Sequence, residues 1–362
     1  MKAAVLMEVN KPLVIEDVSL PKPGPREVLI RTSVAGLCHS DLHFMEGLYP
    51  HPLPAVLGHE SAGVVEQVGS DVTYVKPGDH VVTCLSVFCG TCDNCSTGRP
   101  VLCTDTTVKL LPGVSNRLSW ARSEKLHQFL NLSSFAEQML VHENAIVKIR
   151  NDMPLDLAAL IGCGVITGYG AVANTAKVAP GETVAVIGCG GVGQFVVQGA
   201  RIAGASAIVA VDPSASKRAA ASTVGATHAI DPSDGGMVDE LKAMTGGRGV
   251  DVAFEVVGRP ELVRQAFDST RAAGTTVIVG MSALDAEVTL PLFDWFHLEK
   301  RVLGCNYGSA QVRREFPRLV ALAESGSLDI GAAVTRVRPL VEVNDAFDDL
   351  RAGTVVRTVL HP

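Results

Sequence analysis

Thr183-Val184-Ala185-Val186-Ile187-Gly188-Cys189-Gly190-Gly191-Val192-Gly193 is the stretch on which the fold turns. An apolar run ends in glycines spaced Gly-x-Gly-x-x-Gly, and residues 191–203 then read as a helix. Gly188 permits a tight turn, Gly190 lets the backbone approach a pyrophosphate, and Gly193 lets helix meet strand. The helix N-terminus adds N–H groups and partial positive charge. Asp212 ends the next strand, 24 residues after Gly188, where an acid accepts hydrogen bonds from ribose hydroxyls. Such a glycine pattern is weak alone; strand, helix, spacing and acid together predict a dinucleotide site. Asp212 favours NAD over NADP, because a 2′-phosphate would meet a carboxylate with no obvious arginine beside it. Lys217 either bends that preference or is a plain exposed helix lysine.

Working outward, apolar strands alternate with helical stretches from about residue 155, and strands near 252–256 and 275–279 flank a helix near 261–269. Continuous apolar strands between helices predict an α/β domain with a doubly wound parallel sheet. Residues 1 to about 150 instead read as short strands punctuated by Pro and Gly, such as 28–34, 63–68 and 80–83. The last 60 residues, with helices near 311–324 and 343–351 and a strand at 355–360, read as completing that first domain. The expected division is a mostly β domain of 1–164 and 303–362, and a cofactor domain of 165–302.

Composition bounds the function. The chain has 362 residues, 47% of them hydrophobic and 19% charged, which calls for a large core and excludes extensive disorder. A net charge of −7 with no block of Lys or Arg argues against nucleic-acid and membrane partners. Small molecules and copies of the chain itself are expected instead. The apolar run 3–7 is too short for a signal-peptide core. No segment is expected to reach the roughly 18 uncharged apolar residues that span a bilayer. Nine cysteines, an odd number without an export signal, disfavour a disulfide framework and make the cytoplasm the expected location.

Four of those cysteines, Cys89, Cys92, Cys95 and Cys103, share a loop, 86–104, that has no hydrophobic period. Four thiolates on a short chain suit a closed, tetrahedral structural zinc site. Surface thiols, two disulfides or an iron-sulfur cluster are the alternatives. Ferredoxin clusters usually carry Pro after the last cysteine, where this chain has Thr104.

Cys38-His39-Ser40-Asp41-Leu42-His43, Gly58-His59-Glu60 and Gly162-Cys163-Gly164 are unconvincing singly, since a buried cysteine is commonly inert core. Together with Gly58–Gly63 through Gly69 and Val72, Thr167-Gly168-Tyr169-Gly170, the four-cysteine loop and the nucleotide fingerprint, they resemble the zinc-dependent alcohol dehydrogenases of the medium-chain dehydrogenase/reductase family. The resemblance covers essentially the whole chain. Residues 125–135 and the ending Leu350-Arg351-Ala352-Gly353 through Arg357-Thr358 are similar to the liver-type branch in particular.

The resemblance implies a GroES-like catalytic domain beside a Rossmann domain, two zinc ions per chain, NAD, and a homodimer, with a tetramer open. It implies that Cys38, His59 and Cys163 bind a catalytic zinc with one open position, as two thiolates and an imidazole can. Asp41 then orients a ligand such as His59, its plainer role being a helix cap, and Glu60 either exchanges as a ligand or forms an ion pair behind the metal. Ser40 passes the alcohol proton to the cofactor ribose and His43 delivers it to solvent, the plainer reading of His43 being an exposed loop histidine. Val192 and Thr167 match positions on the nicotinamide, and His39 and Arg357 match positions near the pyrophosphate.

The implied reaction is reversible oxidation of primary alcohols, with secondary ones open, to aldehydes or ketones. Alternatives are a thiol-adduct formaldehyde dehydrogenase, a noncatalytic structural member, and an enzyme that never releases its cofactor. The implied pocket holds Ser40, Tyr49, Leu85, Val108, Phe129, Leu130, Val279 and Met281. Relatives that use glutathione carry an arginine where this chain has Thr107. Cys84, Cys189 and Cys305 read as core, and Phe293, Trp295 and Phe296 as packing or subunit contacts.

Overall fold

The computed structural model describes residues 1–110, 117–122 and 125–362, which fall into two compact units. One unit comprises Val165–Ala310 and Ala323–Ala333. Its sheet runs His228–Ile230, Ala207–Val211, Thr183–Ile187, Val250–Glu255, Thr270–Ile278, Arg301–Gly304, parallel throughout. Numbered along the chain, that order is 3-2-1-4-5-6, the doubly wound dinucleotide-binding arrangement, whose ligands sit where the order reverses, outside the carboxyl ends. Here the reversal falls at the Gly188 loop. Alternate residues of each strand face opposite cores: Val184, Val186, Ile208 and Phe254 on one side, Ala185, Ile187, Val209 and Ala253 on the other. Helix Gly193–Ile202 covers the first through Val196, Val197 and Ala200, while Leu241 and Ala266 cover the second. Burial on both faces is why these strands are continuous apolar runs.

Residues 303–310 and 323–333, expected in the other domain, cluster with this unit. Arg301–Gly304 is the outer strand of its sheet, and Asp329 exchanges two hydrogen bonds with Gln198 (2.7 and 2.9 Å). A four-residue strand that opens on an arginine gave little periodicity to read.

The second unit is Met1–Gly164, Gln311–Leu322 and Val334–Pro362. Its main sheet is built on Glu27–Leu37, eleven residues that pair with Glu60–Val68, Gln138–His142 and Arg357–His361. A smaller five-stranded sheet contains Lys2–Leu6, Val14–Ser19 and Ala55–Val56. The register of the main sheet positions the site. Gly36 stands opposite Glu60 in an antiparallel pair, so Cys38, just past the end of one strand, lies beside His59, just before the start of the other.

Leu155–Ala176 is a 22-residue helical run long and apolar enough by composition to cross a membrane, where the sequence was expected to hold none. Of its most apolar window 72% is buried within the protein, the burial of a core helix. Two wide π-helical turns interrupt it, Ile161–Val165 and Ala171–Ala176; the first carries Cys163, and such turns often mark functional positions.

Candidate active site

Cys38, His59 and Cys163 converge within one unit. Their donor atoms lie within 4.8 Å of one another and all three side chains are buried. Helix His39–Met45 starts at Cys38, whose amide donates to Asp41 Oδ2 (3.2 Å). Asp41 Oδ1 accepts from Gly58 N (3.2 Å) and lies 2.9 Å from His59 Nδ1. Asp41 is therefore cap and orienter at once. A carboxylate on Nδ1 leaves Nε2 as the ligating nitrogen and fixes the tautomer. The two thiols share one contact: a hydrogen bond from Cys163 holds Cys38 well below the usual thiol range, and the same contact, with burial, pushes Cys163 up. Two crowded sulfurs and an imidazole fit a bound cation. With three donors, a tetrahedral ion keeps one open position.

Glu60 is wholly buried, and burial pushes its pKa up to about 7. Its Oε2 accepts from Gly164 N (3.0 Å) and lies 3.7 Å from Arg357 Nη2, while Oε1 is buried without a hydrogen-bond partner. This arrangement is a buried ion pair beside the three donor side chains. Arg357, which the resemblance puts near a pyrophosphate, is 3% exposed here and donates to the Leu37 carbonyl (3.2 Å). Glu60, with Cys38 and Cys163 nearby, holds its guanidinium charged. Gly36 escaped the sequence reading. A Cβ there would stand 2.2 Å from Glu60 Oε1, so only glycine admits the buried carboxylate, and a glycine inside a strand with no turn signal beside it did not announce that role.

Ser40 Oγ lies 3.7 Å from Cys38 Sγ. His43 Nδ1 is buried without a partner, and burial lowers the ring's pKa, so His43 is no plain exposed loop histidine. His39 is exposed, its ring 6.5 Å from that of His43. Phe129 is buried with its ring edge-on to His59 (6.1 Å) and Phe44 (4.7 Å), and Phe44 in turn meets Tyr49 (5.4 Å). Leu130 packs with the same cluster, whereas Leu85 and Val108 belong to a separate core around Ile30 and Val141. Val279 packs with the core of the other unit and Met281 is 39% exposed.

Cys89, Cys92, Cys95 and Cys103 also bring their sulfurs within 4.8 Å, with Cys89–Cys95 at 3.9 Å and Cys92–Cys103 at 3.8 Å. These are not disulfides. Tetrahedral zinc with Zn–S of about 2.3 Å requires sulfurs about 3.8 Å apart. Amides point at the sulfurs: Cys92 N donates to Cys89 Sγ (3.2 Å) and Cys89 N to Cys103 Sγ (3.3 Å). Backbone donors, that of Thr104 foremost, bring Cys92 down to about 6, whereas burial pushes Cys95 up to about 12. Cys84, Cys189 and Cys305 are buried free thiols elsewhere.

In the nucleotide unit, Gly188 has φ of +96°, a Cβ on Gly193 would stand 2.0 Å from the Gly188 carbonyl, and one on Gly190 would point into open space. That open cradle fits a pyrophosphate. Asp212 is 7% exposed and accepts from Cys189 N (2.9 Å) and Ser214 N (2.8 Å), one bond per oxygen, which leaves lone pairs for a ribose. Val192 and Thr167 are half-buried. The carbonyl of Lys217 accepts from Gln194 (3.3 Å). Its neighbour Arg218 was missed: Nη1 donates to the Asp212 carbonyl (2.6 Å) and pairs with Asp231 Oδ2 (3.0 Å). An arginine does stand beside Asp212, held by an acid thirteen positions later in the chain that no local pattern connects to it.

A buried Cys₂His cluster, a Cys₄ lobe and a dinucleotide cradle define a metal-dependent dehydrogenase. Residues 24–151 match the alcohol dehydrogenase GroES-like domain, and 191–325 the zinc-binding dehydrogenase domain. S-(hydroxymethyl)glutathione dehydrogenase of Saccharomyces cerevisiae is 38% identical over 370 residues, which cover 99% of this chain and 95% of that protein. Benzyl alcohol dehydrogenase of Acinetobacter calcoaceticus superposes with a TM-score of 0.94 at 33% identity, covering 99% of this chain and 98% of that one. A zinc-binding dehydrogenase of Sinorhizobium meliloti, solved bound to NADP, superposes with a TM-score of 0.84 at 31% identity over 100% and 99% of the two chains. The chain belongs to the zinc-dependent alcohol dehydrogenases of the medium-chain dehydrogenase/reductase family.

Proposed function

We propose that this oxidoreductase is an NAD-dependent alcohol dehydrogenase acting on medium or aromatic primary alcohols, with a catalytic zinc on Cys38, His59 and Cys163 and a structural zinc on Cys89, Cys92, Cys95 and Cys103. The buried Cys₂His set with one free coordination position carries this reading. Bound zinc supplies the Lewis acidity that lets an alcohol ionise near neutral pH, and NAD supplies the hydride acceptor. Asp41 keeps His59 in its ligating tautomer. Arg357 and Glu60 balance charge behind the thiolates. The Ser40 hydroxyl can take up a proton and pass it on, and His43 Nδ1, lacking a protein partner, is free to receive one. Asp212 favours NAD, and Arg218, tied to Asp231, is not available to a 2′-phosphate.

The aromatic group of Phe129, Phe44 and Tyr49 beside His59 supports an apolar substrate, as does the similarity to a benzyl alcohol dehydrogenase. Each buried methylene should add about 0.8 kcal/mol until the walls are filled. A second reading, oxidation of a formaldehyde–thiol adduct, draws support from the yeast relative. Against it, Thr107 donates through N and Oγ1 to Asp105 Oδ1 (2.7 Å each), so an anionic tripeptide would meet a carboxylate there. The test compares kcat/KM for ethanol, butanol, benzyl alcohol, and formaldehyde with and without glutathione, using NAD and NADP. Butanol and benzyl alcohol should exceed ethanol. Marked stimulation of formaldehyde oxidation by glutathione, with poor turnover of the larger alcohols, would overturn the first reading in favour of the second.

A further inference from the structure

A cavity of about 660 Å³ opens in the nucleotide unit at the amino ends of strands Val250–Glu255 and Thr270–Ile278, the end of the sheet opposite the Gly188 loop. Sites for small organic ligands occupy about 300–1,000 Å³. Its charged lining is Lys242, Arg248, Arg264, Arg271 and Lys300 against Asp268 and Asp294. Arg264 is held by Asp268 (2.8 Å), and Arg271 by Asp251 behind it. Lys300 is 8% exposed; its ammonium donates to the Phe267 carbonyl (2.7 Å) and sits 4.6 Å over the Phe267 ring.

Setting those pairs aside leaves Lys242 and Arg248, neither of which makes an ion pair among the described residues. Two uncompensated cations face one concavity on a chain of net charge −7. Lys242 lies near the end of helix Met237–Met244, and Arg248 in the following loop, where Gly246, Gly247 and Gly249 all have positive φ. Gly247 lines the cavity, and a Cβ on it would meet nothing, so a ligand can come close to that backbone.

We infer that this cavity binds a small phosphate-bearing dianion, seated between Lys242 and Arg248 over the buried Lys300. Two free positive charges match a dianion. The guanidinium fork suits phosphate oxygens, and the ammonium groups act as point charges. The volume exceeds that of phosphate alone, so the natural ligand carries an organic body. Asp268 is paired with Arg264, and the charge of Lys300 offsets that of Asp294, with which it forms no ion pair among the described residues, so with Arg271 held by Asp251 the lining keeps a net of two positive charges.

Inorganic phosphate and inorganic pyrophosphate, titrated into the zinc-loaded enzyme by calorimetry and thermal melting, test this against chloride at matched ionic strength. Pyrophosphate should bind one per chain and raise Tm. The K242E/R248E double variant, altered at positions that are not buried, should lose at least tenfold in affinity while keeping its zinc and circular dichroism. Arg248→Ala should lose part of it and serves if the double variant fails to fold. An equal Tm rise with chloride would overturn the inference. So would undiminished pyrophosphate binding by the variants, which would place the anion at the Gly188 loop instead.

Discussion

Asp41 ties three pieces of chain to one carboxylate: the Cys38 amide, the Gly58 amide and the His59 ring. Its economy shows how completely the reactive cluster depends on single side chains. Cys163→Ala should abolish turnover and lower bound zinc from two per chain to one, with the fold intact, because it removes a single sulfur and alanine keeps the helical turn. Cys92→Ala should lower Tm instead, since structural zinc binds with about 10–16 kcal/mol in model peptides; elemental analysis and melting curves separate the two. The proposed preference for NAD also rests on one pair. Asp231→Ala frees Arg218 beside Asp212, so kcat/KM for NADP should rise several-fold with that for NAD nearly unchanged. No change in the ratio would show that Arg218 stays bound to the Asp212 carbonyl.

At the scale of elements, the four central nucleotide strands were legible because burial on both faces writes an unbroken apolar run into the sequence. So were both cysteine sets, through spacing and family likeness. The register that aligns Cys38 with His59 was not, because pairing residues 24 positions apart, Gly36 and Glu60, leaves no local mark. Residues 303–310 fell to the other domain for a related reason: a short strand takes its place from a distant partner, here the neighbouring strand. His142 ends strand Gln138–His142, and its Nδ1 accepts from Asn144 N (3.0 Å). Burial, with Arg26 adding to it, lowers its pKa to about 4; Arg117 works in the same direction, and Glu143 and Glu27 oppose. Below pH 6.5 the unfolded chain takes a proton that the folded ring refuses, so this stability is present above about 6.5 and is lost as pH falls toward 4. His142→Asn, which keeps an acceptor near Nδ1, should flatten the decline in Tm between pH 7 and 5. Parallel curves for the two proteins would remove His142 as the cause.

On the scale of the whole molecule, Leu292, Phe293 and Phe296 are 74%, 65% and 69% exposed on one short helix beside the outer strand Arg301–Gly304. Such apolar surface and an open strand edge call for a partner, and a second copy answers both. The protein should sediment at twice 38.0 kDa, and Phe296→Glu should shift it toward monomer; a variant still wholly dimeric would place the contact elsewhere.

The Cys₄ lobe has a consequence for handling as well as for stability. Its sulfurs, 3.8 and 3.9 Å apart in pairs, need to close by less than about 2 Å to reach the disulfide bond length of about 2.05 Å. Without metal, the crowding that suits a tetrahedral ion becomes readiness for oxidation, favoured further by the amides that stabilise thiolate. Chelation under air should therefore act as a ratchet: zinc returned at once restores the lobe, whereas zinc returned after oxidation finds its sulfurs bonded to each other until a reductant separates them.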